Sequence, residues 1–286
     1  MDLRQTPKYS EFLRGIGWII EKDAKSGAFI FIRKLPLTGF SVIKIQRASR
    51  LPNKSVLDRL IKKYRAIQLN IEPEGDNDIP LLVAWKMHRQ TIPFLPSTTI
   101  ILDLRLPFKT LLALMKQKTR YNLTLSAKKK VLVKISDGSA LIQDPFLFEA
   151  MFAMQKQNAK RLGIFVLPKK WFAKQVKALG KHCFAAMAYV DEELVAATFY
   201  MTSDDAVYYA HNGSTELGRK LFAPTACVVA GILEGQKRKL KAFDFEGIYD
   251  PRSKVIRWQG FTRFKKGFGG RVEMTPGLYS KWIWPF

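Results

Sequence analysis

The chain has 286 residues, of which 48 are Lys or Arg and 24 are Asp or Glu, giving a formal charge of +24 and a pI near 10.0. A hydrophobic content of 47% excludes a disordered chain, and the length suits two domains of ordinary size. No run approaches the ~20 apolar residues of a membrane span, the N-terminus lacks a signal-peptide core, and Cys183, Cys227 and three scattered histidines give no disulfide framework or metal spacing. The expectation is a cytoplasmic protein without cofactor, metal or reactive thiol, whose partner is a polyanion: nucleic acid, an anionic membrane or a phosphorylated substrate.

In chain order, a first helix is expected over Tyr9 to Arg14. Alternation then gives two strands, Gly27 to Leu35 and Ser41 to Arg47, about the Pro36 and Gly39 turn. A helix over Ser55 to Tyr64 presents Val56, Leu60 and Ile61 on one face, and the strand Ile67 to Ile71 ends in the acidic turn Glu72-Pro73-Glu74-Gly75. From Leu104 to Ser136 there are nine Lys or Arg and no acid. Phe108, Leu111, Leu112 and Met115 set the stripe of a helix that continues towards Lys128 and bridges the domains. Two further basic helices, Pro145 to Arg161 and Pro168 to Leu179, follow.

The opening order then returns. Cys183 to Val190 and Leu194 to Met201 form a hairpin, Val207 to Ala210 adds a strand, Pro224 opens a helix to about Gln236, and Ala242 to Phe245 is a strand with an acidic end. The next stretch, Arg252 to Arg271, holds seven Lys or Arg and no acid, interleaved with Trp258, Phe261, Phe264 and Phe268, and closes on Gly267, Gly269 and Gly270. The aromatics have the spacing of a helix core face. Lys265, between Phe264 and the glycine turn, is the cation expected over a cleft, with the glycines leaving bare backbone for a substrate. The aromatic tail with Tyr279, Trp282, Trp284 and Phe286 is expected as a strand packed back on a core.

Antiparallel strands, a helix and a further strand, twice over, predict an α/β (α+β) chain of two tandem acyl-CoA N-acyltransferase (GNAT)-like domains. Residues 1–130 completed by the tail 274–286 form one, and 131–273 the other. The pyrophosphate loop of coenzyme A users has no counterpart in His211 to Arg219, which argues against acetyl-CoA as donor.

Lys116-Gln117-Lys118-Thr119-Arg120-Tyr121-Asn122, Arg161-Leu162-Gly163-Ile164, Tyr208 to Thr215, Phe243-Asp244-Phe245-Glu246-Gly247 and Phe264 to Gly270 together resemble the Fem-type aminoacyltransferases, which build peptidoglycan interpeptide bridges from aminoacyl-tRNA. The resemblance runs from about Leu102 onward, and there is no room for the coiled-coil arm of the longer members. It implies attack by a stem-peptide amine on the ester of an aminoacyl-tRNA, with Lys265 and Phe264 as the catalytic pair. It further implies substrate binding by Arg14, Glu72, Lys118, Arg120, Asp244, Glu246 and Gly269. The implied partners are aminoacyl-tRNA and a lipid-linked or nucleotide-linked precursor, met by a monomer at the inner membrane surface. Ile67 and Leu167 depart from the pattern, where the family has an aromatic and a basic residue. A non-enzymatic RNA-binding protein on the same fold is the other reading of the charge. On the enzyme reading, Lys265→Met is expected to remove activity and leave the fold nearly intact.

Overall fold

The computed structural model describes residues 1–253 and 256–283, so Trp284 and Phe286 of the aromatic tail lie outside the described residues. The chain forms two compact units, one of Met1–Thr98, Asp250–Lys254 and Met274–Phe286, the other of Thr99–Tyr249 and Val255–Glu273. The division falls at Thr98–Thr99 and not near residue 130, because the strand opening at Thr98 joins the second sheet and the basic segment follows it there.

The first unit opens with α1 (Pro7–Gly15). Thr6 caps it by accepting the Tyr9 N–H at 3.2 Å, and Pro7 suits its first turn. There follow β1 (Ile19–Lys22), β2 (Phe29–Lys34), β3 (Ser41–Gln46), α2 (Lys54–Tyr64), β4 (Ala66–Glu72), α3 (Ile79–Ala84) and β5 (His88–Arg89), and the tail returns as β13 (Tyr279–Trp282). The sheet order is β1-β2-β3-β4-β13-β5. Only β3 and β4 are parallel, joined through α2. Ile30, Ile32, Ile43, Ile45, Leu69 and Ile71 pack with Leu57 and Leu60 of α2 in one apolar cluster. By alternation, Phe31, Lys44, Gln46, Asn70 and Glu72 belong to the other face.

The second unit contains β6 (Thr98–Asp103), α4 (Phe108–Leu114), α5 (Gln117–Lys128), β7 (Leu132–Asp137), α6 (Gly138–Gln143), α7 (Pro145–Leu162), α8 (Lys169–Leu179), β8 (Cys183–Val190), β9 (Glu193–Thr202), β10 (Ala206–Ser214), α9 (Glu216–Lys220), α10 (Ala223–Lys237), β11 (Ala242–Asp244), α11 (Gln259–Lys265) and β12 (Arg271–Met274). Its sheet runs β12-β6-β11-β10-β9-β8-β7. Here β10 and β11 run parallel, and α10 connects them. That helix packs hard on the sheet: a Cβ on Gly231 would stand 2.4 Å from the Tyr200 ring.

The single bridging helix expected from Phe108 is in fact two helices inside the second unit. Buried Met115 is extended, with ψ 145°, and the N–H of Lys116 donates to Gly267 O at 2.8 Å, which breaks the apolar stripe at its fourth member. Among the described residues no helix is long and apolar enough to cross a membrane.

Candidate functional site

Lys265 ends α11, and unlike the exposed Arg263 and Lys266 on either side it is buried, with 7% of its surface accessible. Its Nζ donates to Phe245 O at 2.7 Å and to Gly247 O at 2.6 Å. These carbonyls flank Glu246, whose backbone is left-handed at φ 58°, a conformation held in non-glycine residues only by its surroundings. The lysine on its two flanking carbonyls, and Asp244 on its own N–H, contribute to that hold. The ammonium also lies 5.0 Å from the Phe261 ring centroid and 5.3 Å from that of Tyr209. Burial pushes the lysine down to about 8, against the pull of Glu246 and Asp244. An ammonium has three N–H bonds; two are spent on the backbone and one is left over.

The mount beneath is aromatic. Phe243, Phe245, Phe268 and Phe264 follow one another at centroid distances of 4.9, 5.4 and 5.2 Å. Phe264 is half-buried against the core. Thr262 ties α11 to the strand-end loop by accepting the Tyr249 N–H at 2.7 Å. Asp244 accepts from the Glu246 N–H at 2.7 Å and from the Thr99 hydroxyl, so both acids belong to the same strand end.

The glycines have a different use from the one expected of them. A Cβ on Gly267 would stand 2.4 Å from Thr119 Oγ1, one on Gly269 2.7 Å from Leu114 O, and one on Gly270 2.6 Å from Ile101 O. They let the turn after α11 press against α4, α5 and β6, and this is where the Lys116 to Asn122 motif meets the Phe264 to Gly270 motif. Within that motif, Lys118 is exposed on the first turn of α5, while half-buried Arg120 donates to the carbonyls of Ala113 and Met115 and closes the end of α4. Thus Lys265, Phe264, Asp244, Glu246 and Gly269 gather at one end of the second sheet.

Arg14 and Glu72 lie in the first unit. Arg14 is exposed in the last turn of α1. Glu72 is 1% exposed at the end of β4, where it accepts from Gln46 Nε2 at 2.6 Å and from Leu95 N at 2.7 Å. Sequence reasoning missed the partners of Lys265: two backbone carbonyls carry no residue-type signal, and Tyr209 reads as an ordinary strand aromatic. Burial pushes both thiols, Cys183 and Cys227, up to about 12, which keeps them protonated. Among the described residues no group of three His, Cys, Asp or Glu is placed to hold a metal ion.

The site just described falls largely inside one sequence match. Residues 173–286 match the FemAB family model. By structure, FemX superposes with a TM-score of 0.80 at 15% identity, covering 99% of this chain and 92% of that one. The FemAB match supports the Fem-type resemblance for that part of the chain. The C-terminal domain of a putative lysylphosphatidylglycerol synthetase from Agrobacterium fabrum gives 0.66 at 11% identity over 97% of this chain and 88% of that one. A tandem GNAT protein from the clavulanic acid biosynthesis pathway gives 0.51 at 9% over 89% and 78%. At these identities the structural likeness establishes the fold, two GNAT-like domains in one chain. By sequence, no curated protein matches the chain. The FemAB match takes in β8 to β11, α11 and Lys265, and the Fem-type reading of the Phe264-Lys265 pair rests on that span.

Proposed function

We propose that this chain is a Fem-type aminoacyltransferase that moves an aminoacyl group from aminoacyl-tRNA to an amine on the peptide of a peptidoglycan precursor. The observation that carries the reading is the buried, carbonyl-clamped Lys265 within the span that matches the FemAB family. An aminoacyl ester is already activated, so the protein has to hold the amine in line and stabilise the oxyanion that forms as the amine adds to the ester carbonyl. The remaining N–H of Lys265 suits that oxyanion: it is fixed by two backbone bonds and two aromatic rings, and costs no reorganisation when charge develops. As the tetrahedral adduct collapses, the tRNA ribose oxygen leaves with the electron pair of the ester bond and takes up a proton, and the amine gives one up. The exposed lysines of α5 and the turn after it, Lys118, Lys128, Lys129 and Lys130, are the cations offered to tRNA phosphates. Contact with the inner membrane surface belongs to the same proposal, through a lipid-linked acceptor.

The test is transfer from a pool of charged tRNA to separate acceptors, read by mass. A precursor peptide gaining one aminoacyl residue supports the proposal. Gain on phosphatidylglycerol alone would assign a lipid acceptor instead, and binding of RNA with no transfer would make the chain a binding protein.

A further inference from the structure

The connection between α7 and α8 reads Gly163-Ile164-Phe165-Val166-Leu167-Pro168, and none of its four apolar side chains is buried. Ile164, Val166 and Leu167 are half-buried, and Phe165 keeps 79% of its surface accessible. Phe146, in the first turn of α7, keeps 89%, and among the described residues no aromatic is more exposed than these two. Single exposed apolar residues are ordinary, but a run of them joining two helices asks for a partner. The segment is fixed at both ends. Left-handed Gly163 closes α7, its own N–H on Lys160 O at 3.3 Å and that of Ile164 on Ala159 O at 3.0 Å. At the other end Pro168 O accepts the Trp171 and Phe172 N–H groups at 2.8 and 3.0 Å. Lys169 reaches Glu149, in the second turn of α7, so the connection runs back along that helix for about 20 Å. Helical spacing sets Phe146 about 60° round α7 from Glu149, on the flank along which the connection returns.

Charge brackets the apolar run: Lys160 and Arg161 precede it, Lys169 and Lys170 follow it, and half-buried Trp171 comes next. From Asp144 to His182 there are eight Lys or Arg against Asp144 and Glu149. The elements packed on α7 and α8 bring two further acids, Asp137 at the N-cap of α6 and Glu193 at the start of β9. Glu246, whose field reaches the neutral His211 against Phe172, is the fifth. Eight against five leaves an excess of three cations. Of the acids, Asp137 and Asp144 are engaged as helix N-caps and Glu149 by Lys169.

We infer that this flank of the second unit docks on an anionic lipid surface, with Phe165 and Phe146 entering the acyl boundary, Trp171 at headgroup level and the bracketing cations on lipid phosphates. RNA is the other polyanion these charges suit, but its phosphates and bases leave Ile164, Val166 and Leu167 in water, whereas a bilayer takes in the whole run. The inference gives a surface to the membrane contact proposed above and rests on that reading for its purpose. Vesicles that carry neither tRNA nor precursor test it alone, so docking can fail while transfer stands, and the reverse.

The experiment is co-sedimentation of the full chain with vesicles of phosphatidylcholine alone and of phosphatidylcholine mixed with phosphatidylglycerol. Binding is expected with the anionic mixture only, and should fall as salt rises. Phe165→Ser should weaken it about 10- to 100-fold, the loss of one buried aromatic side chain. Lys170→Gln should weaken it about 5-fold, the loss of one cation near the surface. Both side chains are exposed, so both variants should melt with the parent. Phe165→Trp, read against the parent, should add emission that shifts to the blue on the anionic vesicles and is quenched by brominated acyl chains. No binding to anionic vesicles, or an added emission indifferent to lipid, would overturn the inference. So would Phe165→Ser weakening the binding of RNA while leaving that of vesicles unchanged, which would give the surface to nucleic acid.

Discussion

Replacing Lys265 removes more than a charge. Lys265→Met leaves Phe245 O and Gly247 O buried without a donor, at about 1–3 kcal/mol each, and releases the left-handed Glu246 they flank. The variant is therefore expected to lose about 10²–10³ in transfer rate and also to unfold at measurably lower denaturant, which corrects the expectation from sequence that the fold would be nearly untouched. An unchanged midpoint with an unchanged rate would mean that the carbonyl clamp does not form. The same group sets a pH dependence. With Lys265 held down at about 8, its charge is lost as pH rises through that value, and transfer should decline on an alkaline limb there. The unfolded lysine keeps its proton to about 10.5, so between these values the unfolded state binds more protons and this group's contribution to stability rises with pH. Activity falling while stability holds, in parallel pH series, is the signature; loss of both together would attribute the limb to unfolding.

At the scale of elements, the turn after α11 decides whether the site is assembled. Gly269 has φ 81° and ψ −152° and abuts Leu114 O, a conformation all but confined to glycine, so Gly269→Ala should destabilise the second unit by about 1–3 kcal/mol or more. Urea unfolding measures this, and a shift under a few tenths would place the turn elsewhere. On the α7 and α8 side, His211 stacks on Phe199, with centroids 5.9 Å apart, and its Nε2 meets Gln175 Oε1 at 3.2 Å. Burial lowers it to about 4. The unfolded histidine takes its proton near 6.5, so stability from neutral His211 is complete above that value and is lost as pH falls towards 4. The melting temperature of the parent should thus fall towards that of His211→Gln over this range; parallel curves would show that the ring titrates normally. What could be read from sequence follows from the same packing. β8 and β9 were legible because most of their residues are apolar. The edge strands β7 and β12 were not, since Lys134, Arg271 and Glu273 dilute any alternation. The break at Met115 was hidden because helical spacing runs through it, and the force that breaks it is a backbone bond to Gly267. Lys265 was legible through a resemblance, its carbonyl partners only through the fold.

For the molecule as a whole, the duplicated α/β pattern was readable from the repeated order of strands, helix and acidic strand end, while the place where the chain passes to the second sheet was not, because Thr98 to Asp103 has the composition of either unit. The +24 charge belongs to this scale too. If tRNA is the donor carrier, log affinity should fall by roughly 0.7 to 0.9 per log unit of salt for each phosphate contacted, with a steep total slope; a flat dependence would leave the charge without this partner. The most direct measurement of the central claim is a single-turnover reaction of excess protein with tRNA carrying a labelled amino acid and a precursor peptide, beside a parallel reaction with labelled acetyl-CoA. The Fem-type reading predicts label on the peptide from tRNA, abolished by prior ribonuclease treatment and slowed about 10²–10³ by Lys265→Met, and none from acetyl-CoA. Label arriving from acetyl-CoA, with tRNA inert, would contradict it.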